Sequence, residues 1–211
     1  MKKLLSLLLT VCLLAGALSL TVSAAEKQVT INVYNWGQYI ADGTDGSIDV
    51  IAEFEKVYPN IKVNYMTFDS NESMYTKLKT GGSSYDVIIP SDYMIEKLIA
   101  EDMLEPLDFE NIPNCQYISE RFKKPSYDPE NLYSVPYTWG TVGLIYNYDM
   151  LGFDPDSWDI MWDPNYAKQI LQFSNSRDAF AIAELLEGYS INTEDQEELD
   201  RTADKLKEQK P

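Results

Sequence analysis

The sequence contains no histidine and only two cysteines, Cys12 and Cys115. Without an imidazole, Ser-His-Asp and Cys-His catalysis are excluded, and so are the common zinc sites. Metal chemistry would have to run on oxygen ligands. Cys12 lies in an amino-terminal leader described below, so the mature chain keeps one thiol and has no intrachain disulfide. Basic residues are also scarce, with 17 Lys and Arg against 34 Asp and Glu and a formal net charge of −17. Such a surface repels phosphate backbones and anionic headgroups, which argues against nucleic-acid and membrane-surface partners, and it draws cations at long range. Solubility of a secreted protein is the competing reason for the same acidity. Internal repeats and low-complexity tracts are absent, and with 45% hydrophobic residues a packed core is expected.

Met1-Lys2-Lys3 precedes an apolar run from Leu4 to Val22, broken only by Ser6, Thr10, Gly16, Ser19 and Thr21, and Ser23-Ala24-Ala25 follows it. A basic start, a short apolar core and small residues at the end make a secretory signal peptide over residues 1–24, cleaved after Ala24 or Ala25. The run is at the short end for spanning roughly 30 Å of hydrocarbon, and the polar Glu26-Lys27-Gln28 follows as a mature terminus. Lipidation at Cys12 is disfavoured by the bulky Val11 before it. The protein is therefore expected to be exported, to a periplasmic space or to the outer face of the cytoplasmic membrane.

Val29 to Tyr34 alternates as a strand and meets the loop Asn35-Trp36-Gly37. Ser47 is placed to cap a helix with Ile48, Ile51, Ala52 and Phe54 inward, and Ile61 to Met66 reads as a second strand. Asn71 to Lys79 reads as a helix with Met74 and Leu78 inward. Asp86 to Pro90 reads as a short buried strand, and Ser91-Asp92 as the start of a helix reaching Ala100. Strand, helix, strand at this spacing predicts a parallel sheet with helical crossovers. Four prolines between Pro106 and Pro129 predict an irregular excursion. Beyond it, Thr141 to Tyr146 has the composition of a central strand, and an apolar strand at Ile170 to Phe173 precedes helices over 177–187 and 194–209. The α/β organisation is accordingly a first lobe over residues 25–140 and part of a second over residues 141–211.

In an open parallel sheet, ligands bind beyond the carboxyl ends of the strands. The first strand delivers Trp36, Gly37 and Tyr39 there, and the third delivers Ser91, Asp92 and Tyr93. Trp36, Tyr39 and Tyr93 offer faces for stacking or cation–π contact, and Ser91 and Asp92 offer oxygen acceptors. Each also has a structural reading, since Ser91 and Asp92 suit helix caps and Trp36 suits a sheet edge. Asp178, in the first turn of a helix, either favours the helix dipole, pairs with a basic neighbour or faces a bound ammonium.

Five segments in order resemble the polyamine-binding proteins of ATP-driven uptake systems: Tyr34 to Tyr39, Ser70 to Lys79, Tyr85 to Tyr93, Val135 to Gly140 and Arg177 to Phe180. The resemblance implies a type II periplasmic binding-protein fold. Two α/β lobes joined by a hinge would close over an extended polyamine such as putrescine or spermidine. It implies that Trp36, Tyr39, Ser91 and Tyr93 are first-lobe contacts and that Asp178 is a second-lobe carboxylate. Asn175 stands where some members carry a second acid, which leaves the preferred polyamine open. The resemblance also implies a monomer that delivers its ligand to an ABC permease, without catalytic residues, cofactor or bound metal. Because members of the family are longer, the second lobe is expected to be incomplete.

Two other functions fit the composition. Fifteen tyrosines and many acids would suit an oxygen-ligated ferric ion in a related fold, and abundant carboxylates would suit a secreted glycosidase. No pair of acids is singled out by spacing for the second of these.

Overall fold

The computed structural model describes residues 27–81 and 84–210, so the expected signal peptide lies outside the described residues. They fall into two compact units: residues 27–33, 38–66 and 85–87 in one, and residues 34–37, 67–81, 84 and 88–210 in the other.

Three strands, β1 (Val29–Trp36), β2 (Ile61–Phe68) and β3 (Val87–Ile88), pair in the order β2-β1-β3. The sheet is parallel. The Val29 amide donates to the Asn60 carbonyl, and along the other seam Asp86 N–H bonds Asn32 O and Ile89 N–H bonds Tyr34 O, so residue numbers rise together. Parallel neighbours need a crossover, and helix α1 (Val50–Val57) supplies it between β1 and β2.

In the first unit, α1 starts later than its apolar spacing predicts. Asp49 is the cap, its carboxylate accepting from Ala52 N–H at 2.9 Å. Ser47 instead closes the short 3-10 turn Thr44–Gly46, and Ile48 is 66% exposed rather than inward. A carboxylate three residues ahead of a free amide reaches it directly, so Asp49 takes the position that Ser47 would have held. Glu55 then ties α1 to the start of β2, accepting from Val63 N–H at 2.9 Å and Lys62 Nζ at 2.6 Å.

In the second unit, α2 (Asn71–Lys79) is capped by Ser70, whose Oγ accepts from Ser73 N–H at 3.1 Å. It buries Met74 completely, and α3 (Asp92–Ala100) buries Leu98 to the same degree. The expected irregular excursion is present, with 3-10 turns at Phe109–Asn111, Pro113–Tyr117 and Glu120–Phe122. The buried Asp128 organises its end by accepting from the amides of Leu132, Tyr133 and Ser134 and from Ser134 Oγ at 2.8–3.0 Å.

Thr141 to Tyr146 and Ile170 to Phe173, both expected as strands, pair with no neighbour among the described residues; they run as irregular chain. β-propensity expresses fitness for a pleated, half-buried surface, and here Ile145 and Leu171 are 100% and 95% exposed. Between and beyond these stretches lie α4 (Tyr148–Leu151), α5 (Ser176–Glu187) and α6 (Gln196–Glu208). α5 and α6 bury Ile182, Ala183 and Thr202, and the end of α6 is fixed where Trp162 Nε1 donates to Lys205 O at 2.8 Å.

Candidate functional site

Alternation along β1 puts Tyr34 and Trp36 on one face. Both meet Phe68, the last residue of β2: the Trp36 and Phe68 centroids are 4.7 Å apart, and Tyr34 meets Phe68 edge-on at 5.0 Å. Trp36 is thus held at the end of its strand with its ring partly exposed. Gly37 follows it in the open. A Cβ at Gly37 would touch nothing, and its φ lies outside the left-handed range, so neither packing nor backbone demands glycine there.

Asn71 does the positioning on the other side. Completely buried as the first residue of α2, it accepts from Ser91 N–H at 3.1 Å through Oδ1 and donates through Nδ2 to Tyr93 Oη at 2.9 Å. The start of α2 and the loop after β3 are thereby locked together. Tyr93 Oη in turn donates to Glu72 Oε1 at 2.9 Å. Burial, partly offset by the Asn71 bond, pushes the Tyr93 phenol up to about 12, so it is a neutral donor at any physiological pH.

Ser91 is the residue before α3, yet its side chain makes no capping bond. Asp92 is exposed in the first turn, with Oδ1 accepting from Tyr93 N–H at 2.8 Å. Both helix-start readings therefore hold in position, but only Asp92 uses its side chain on the backbone. Asn175 is the cap of α5, its Oδ1 accepting from Arg177 N–H at 3.1 Å.

The first turn of α5 reaches this cluster through Arg177, whose guanidinium carbon lies 4.7 Å from the centroid of the Tyr93 ring. Beside it, Asp178 is half-buried, forms no ion pair within 4.0 Å among the described residues, and is held above the usual carboxylate range by burial. Tyr39, 45% exposed, belongs to the other unit. The structure thus joins Ser91 and Tyr93 to α2 and the first turn of α5, and sets Trp36 on Phe68.

Asn71, Glu72, Phe68 and Arg177 were absent from the sequence-derived site. Asn71 carried a signal of a kind: an amide directly after a Ser cap, where a stronger helix former is the ordinary choice. The others show their roles only through contacts across the fold.

A mostly apolar recess lies elsewhere. An open trough of about 530 Å³ is lined by Leu144, Ile145, Met150, Trp158, Ile170, Phe173 and their neighbours, and none of the sequence-derived site residues borders it. Among the described residues no three Cys, Asp or Glu side chains gather into a metal-binding group, and no helix is long and apolar enough to cross a membrane.

Residues 49–211 match the family model for bacterial extracellular solute-binding proteins. The spermidine/putrescine-binding periplasmic protein of Salmonella typhimurium is 36% identical over 205 residues, covering 94% of this chain and 56% of that protein. A solved Listeria monocytogenes protein, provisionally described as a spermidine/putrescine ABC transporter, is 41% identical with a TM-score of 0.79, over 86% of this chain and 55% of that one. The spermidine/putrescine ABC transporter substrate-binding protein PotD from Streptococcus pneumoniae is 40% identical with a TM-score of 0.64, over 88% and 55%. The chain therefore spans a little over half the length of these relatives.

Proposed function

The chain belongs to the bacterial extracellular solute-binding protein family, and on that premise we propose that it captures a polyamine of the putrescine or spermidine kind for an ABC permease. In this reading it binds without catalysing a reaction, acts outside the cytoplasmic membrane as a monomer, and carries residues 25–140 as one α/β lobe and 141–211 as part of a second, with a hinge near the junction. Its relatives are binding and transport proteins, which supports the class and lends nothing to a glycosidase.

The observation that carries the proposal is Asp178. A half-buried carboxylate without a cationic partner, on the helical turn that already touches the Tyr93 ring, has the electrostatics of a receptor for a bound ammonium. In this reading Trp36, Tyr39 and Tyr93 pack against methylenes and ammonium groups, and Gly37, Ser91 and Asp92 line the approach. Asn175 contributes an amide already engaged in capping, so this turn offers one full negative charge where a second acid would make two. A ligand with fewer charges is favoured accordingly.

Calorimetric titration of the protein expressed from its own gene with putrescine and spermidine tests the reading. Saturable binding is expected, weakened roughly 10- to 100-fold in Asp178→Asn, the range of a charge-assisted hydrogen bond, and weakened also in Trp36→Ala. No heat with either amine rejects the polyamine assignment.

A further inference from the structure

Resting on that reading, we propose that Arg177 is a specificity-determining residue: its guanidinium stands on the Tyr93 ring as a tethered stand-in for a ligand cation, and a ligand must displace it or bind against its charge. Three observations lead there. The guanidinium carbon lies 4.7 Å from the Tyr93 centroid, within the distance at which a ring face holds a cation. Arg177 forms no ion pair within 4.0 Å among the described residues, although Glu72 sits on the Tyr93 hydroxyl and the buried Glu184 feels the Arg177 charge, which acts to lower its pKa. The side chain is otherwise exposed, so it can leave the ring without opening any packed interior.

The ring itself cannot retreat. Its hydroxyl is pinned between Asn71 Nδ2 and Glu72 Oε1, both at 2.9 Å, which keeps the face presented whether or not a cation covers it. An anchored aromatic face with an exposed, tethered internal cation makes a competitive arrangement. An incoming ammonium gains the ring only as Arg177 swings away, and the displaced charge stays nearby on its tether. The remaining repulsion grows with the charge of the ligand, so Arg177 handicaps a triamine more than a diamine. This acts in the same direction as the amide at Asn175, and the two together set how many ammonium groups the site accepts.

The test compares the wild-type gene product with Arg177→Gln, Arg177→Lys and Tyr93→Leu by calorimetry against putrescine and spermidine. Arg177→Gln is expected to bind spermidine roughly two- to tenfold more tightly and putrescine with a smaller gain, the size of a surface cation–π contact. Arg177→Lys, which keeps the charge, should stay near wild type, and the gain should shrink to the part owed to charge repulsion alone when Arg177→Gln is combined with Tyr93→Leu. Unchanged or weaker binding in a folded Arg177→Gln protein overturns the proposal, and so does a gain that is as large without the ring as with it.

Should the wild type bind neither polyamine, the functional reading fails while this inference remains measurable. Butylammonium titrated into ring-labelled protein must then shift the Tyr93 resonance at lower concentration in Arg177→Gln than in wild type. Equal titrations would refute it.

Discussion

Strands β1 to β3 and the stretches 141–146 and 170–173 are built from the same kinds of residue, with Val, Ile, Leu and aromatic side chains in short runs. Only the first set carries a hydrogen-bonded ladder. Each member of the first set has a neighbour brought to it by a crossover helix and fastened by side chains, Glu55 on Val63 and Asp86 on Asn32 N–H at 2.7 Å. The second set lines an open trough with no strand alongside among the described residues. A strand is a property of a pair, and residue type supplies only half of it.

The largest effect should separate the two regions outright. Met74→Ala, at a completely buried position of α2, is expected to cost about 2–5 kcal/mol, whereas Leu171→Ala at 95% exposure should change stability by no more than about 0.5 kcal/mol. Urea denaturation of both variants measures this. A loss at Leu171 approaching that at Met74 would break the contrast by showing the 170–173 stretch packed in solution.

A smaller effect sharpens it, because the irregular part has its own organiser. Burial raises the Asp128 carboxyl, but the bonds from Leu132, Ser134 and Tyr133 outweigh that and leave it below its ordinary value. Asp128→Ala removes the acceptor of three backbone amides and is expected to cost about 1–3 kcal/mol, with Asp128→Asn costing less because one acceptor oxygen remains. If the alanine variant melts like wild type, the turn at 128–134 is held by something other than this carboxylate.

The smallest effect concerns pH at the end of α3. Glu101 receives Lys79 Nζ at 2.6 Å, Lys97 Nζ at 3.0 Å and the Tyr75 hydroxyl, and these hold its pKa down at about 2. A carboxylate whose folded pKa is depressed contributes stability above its unfolded value, near 4.5, and loses that contribution as pH falls toward about 2. Melting temperatures across that window should therefore decline more steeply for wild type than for Glu101→Gln. Parallel slopes would show the cluster to be screened by solvent.

Much of the candidate site was legible in the chain because strand ends announce themselves. Trp36 closes an alternating run, and Ser91 and Tyr93 follow a short apolar one, so their placement beyond the sheet follows from connectivity, although β3 is not the buried strand its composition predicts, Val87 being 47% exposed. The helix over Asn71–Lys79 was equally plain from its apolar spacing, though its Ser70 cap was not read in advance. What Asn71 does was not legible. An amide that bonds the Ser91 amide and the Tyr93 hydroxyl looks, in sequence, like any polar residue in a first turn, since its partners lie twenty and twenty-two positions away.

The sequence by itself determined the scarcity of cations, the exclusion of histidine chemistry, the order of strands and helices through Ala100, and the aromatic residues offered at the strand ends. These are matters of composition and local period, which no tertiary contact can alter. Only the tertiary structure decided that Asp49 rather than Ser47 caps α1, that residues 141–146 and 170–173 find no strand partner among the described residues, and that Arg177 lies on the Tyr93 ring. Each of those outcomes rests on which groups come within a few ångströms of one another, and hydrogen bonds, ladders and cation–π contacts exist only at that range.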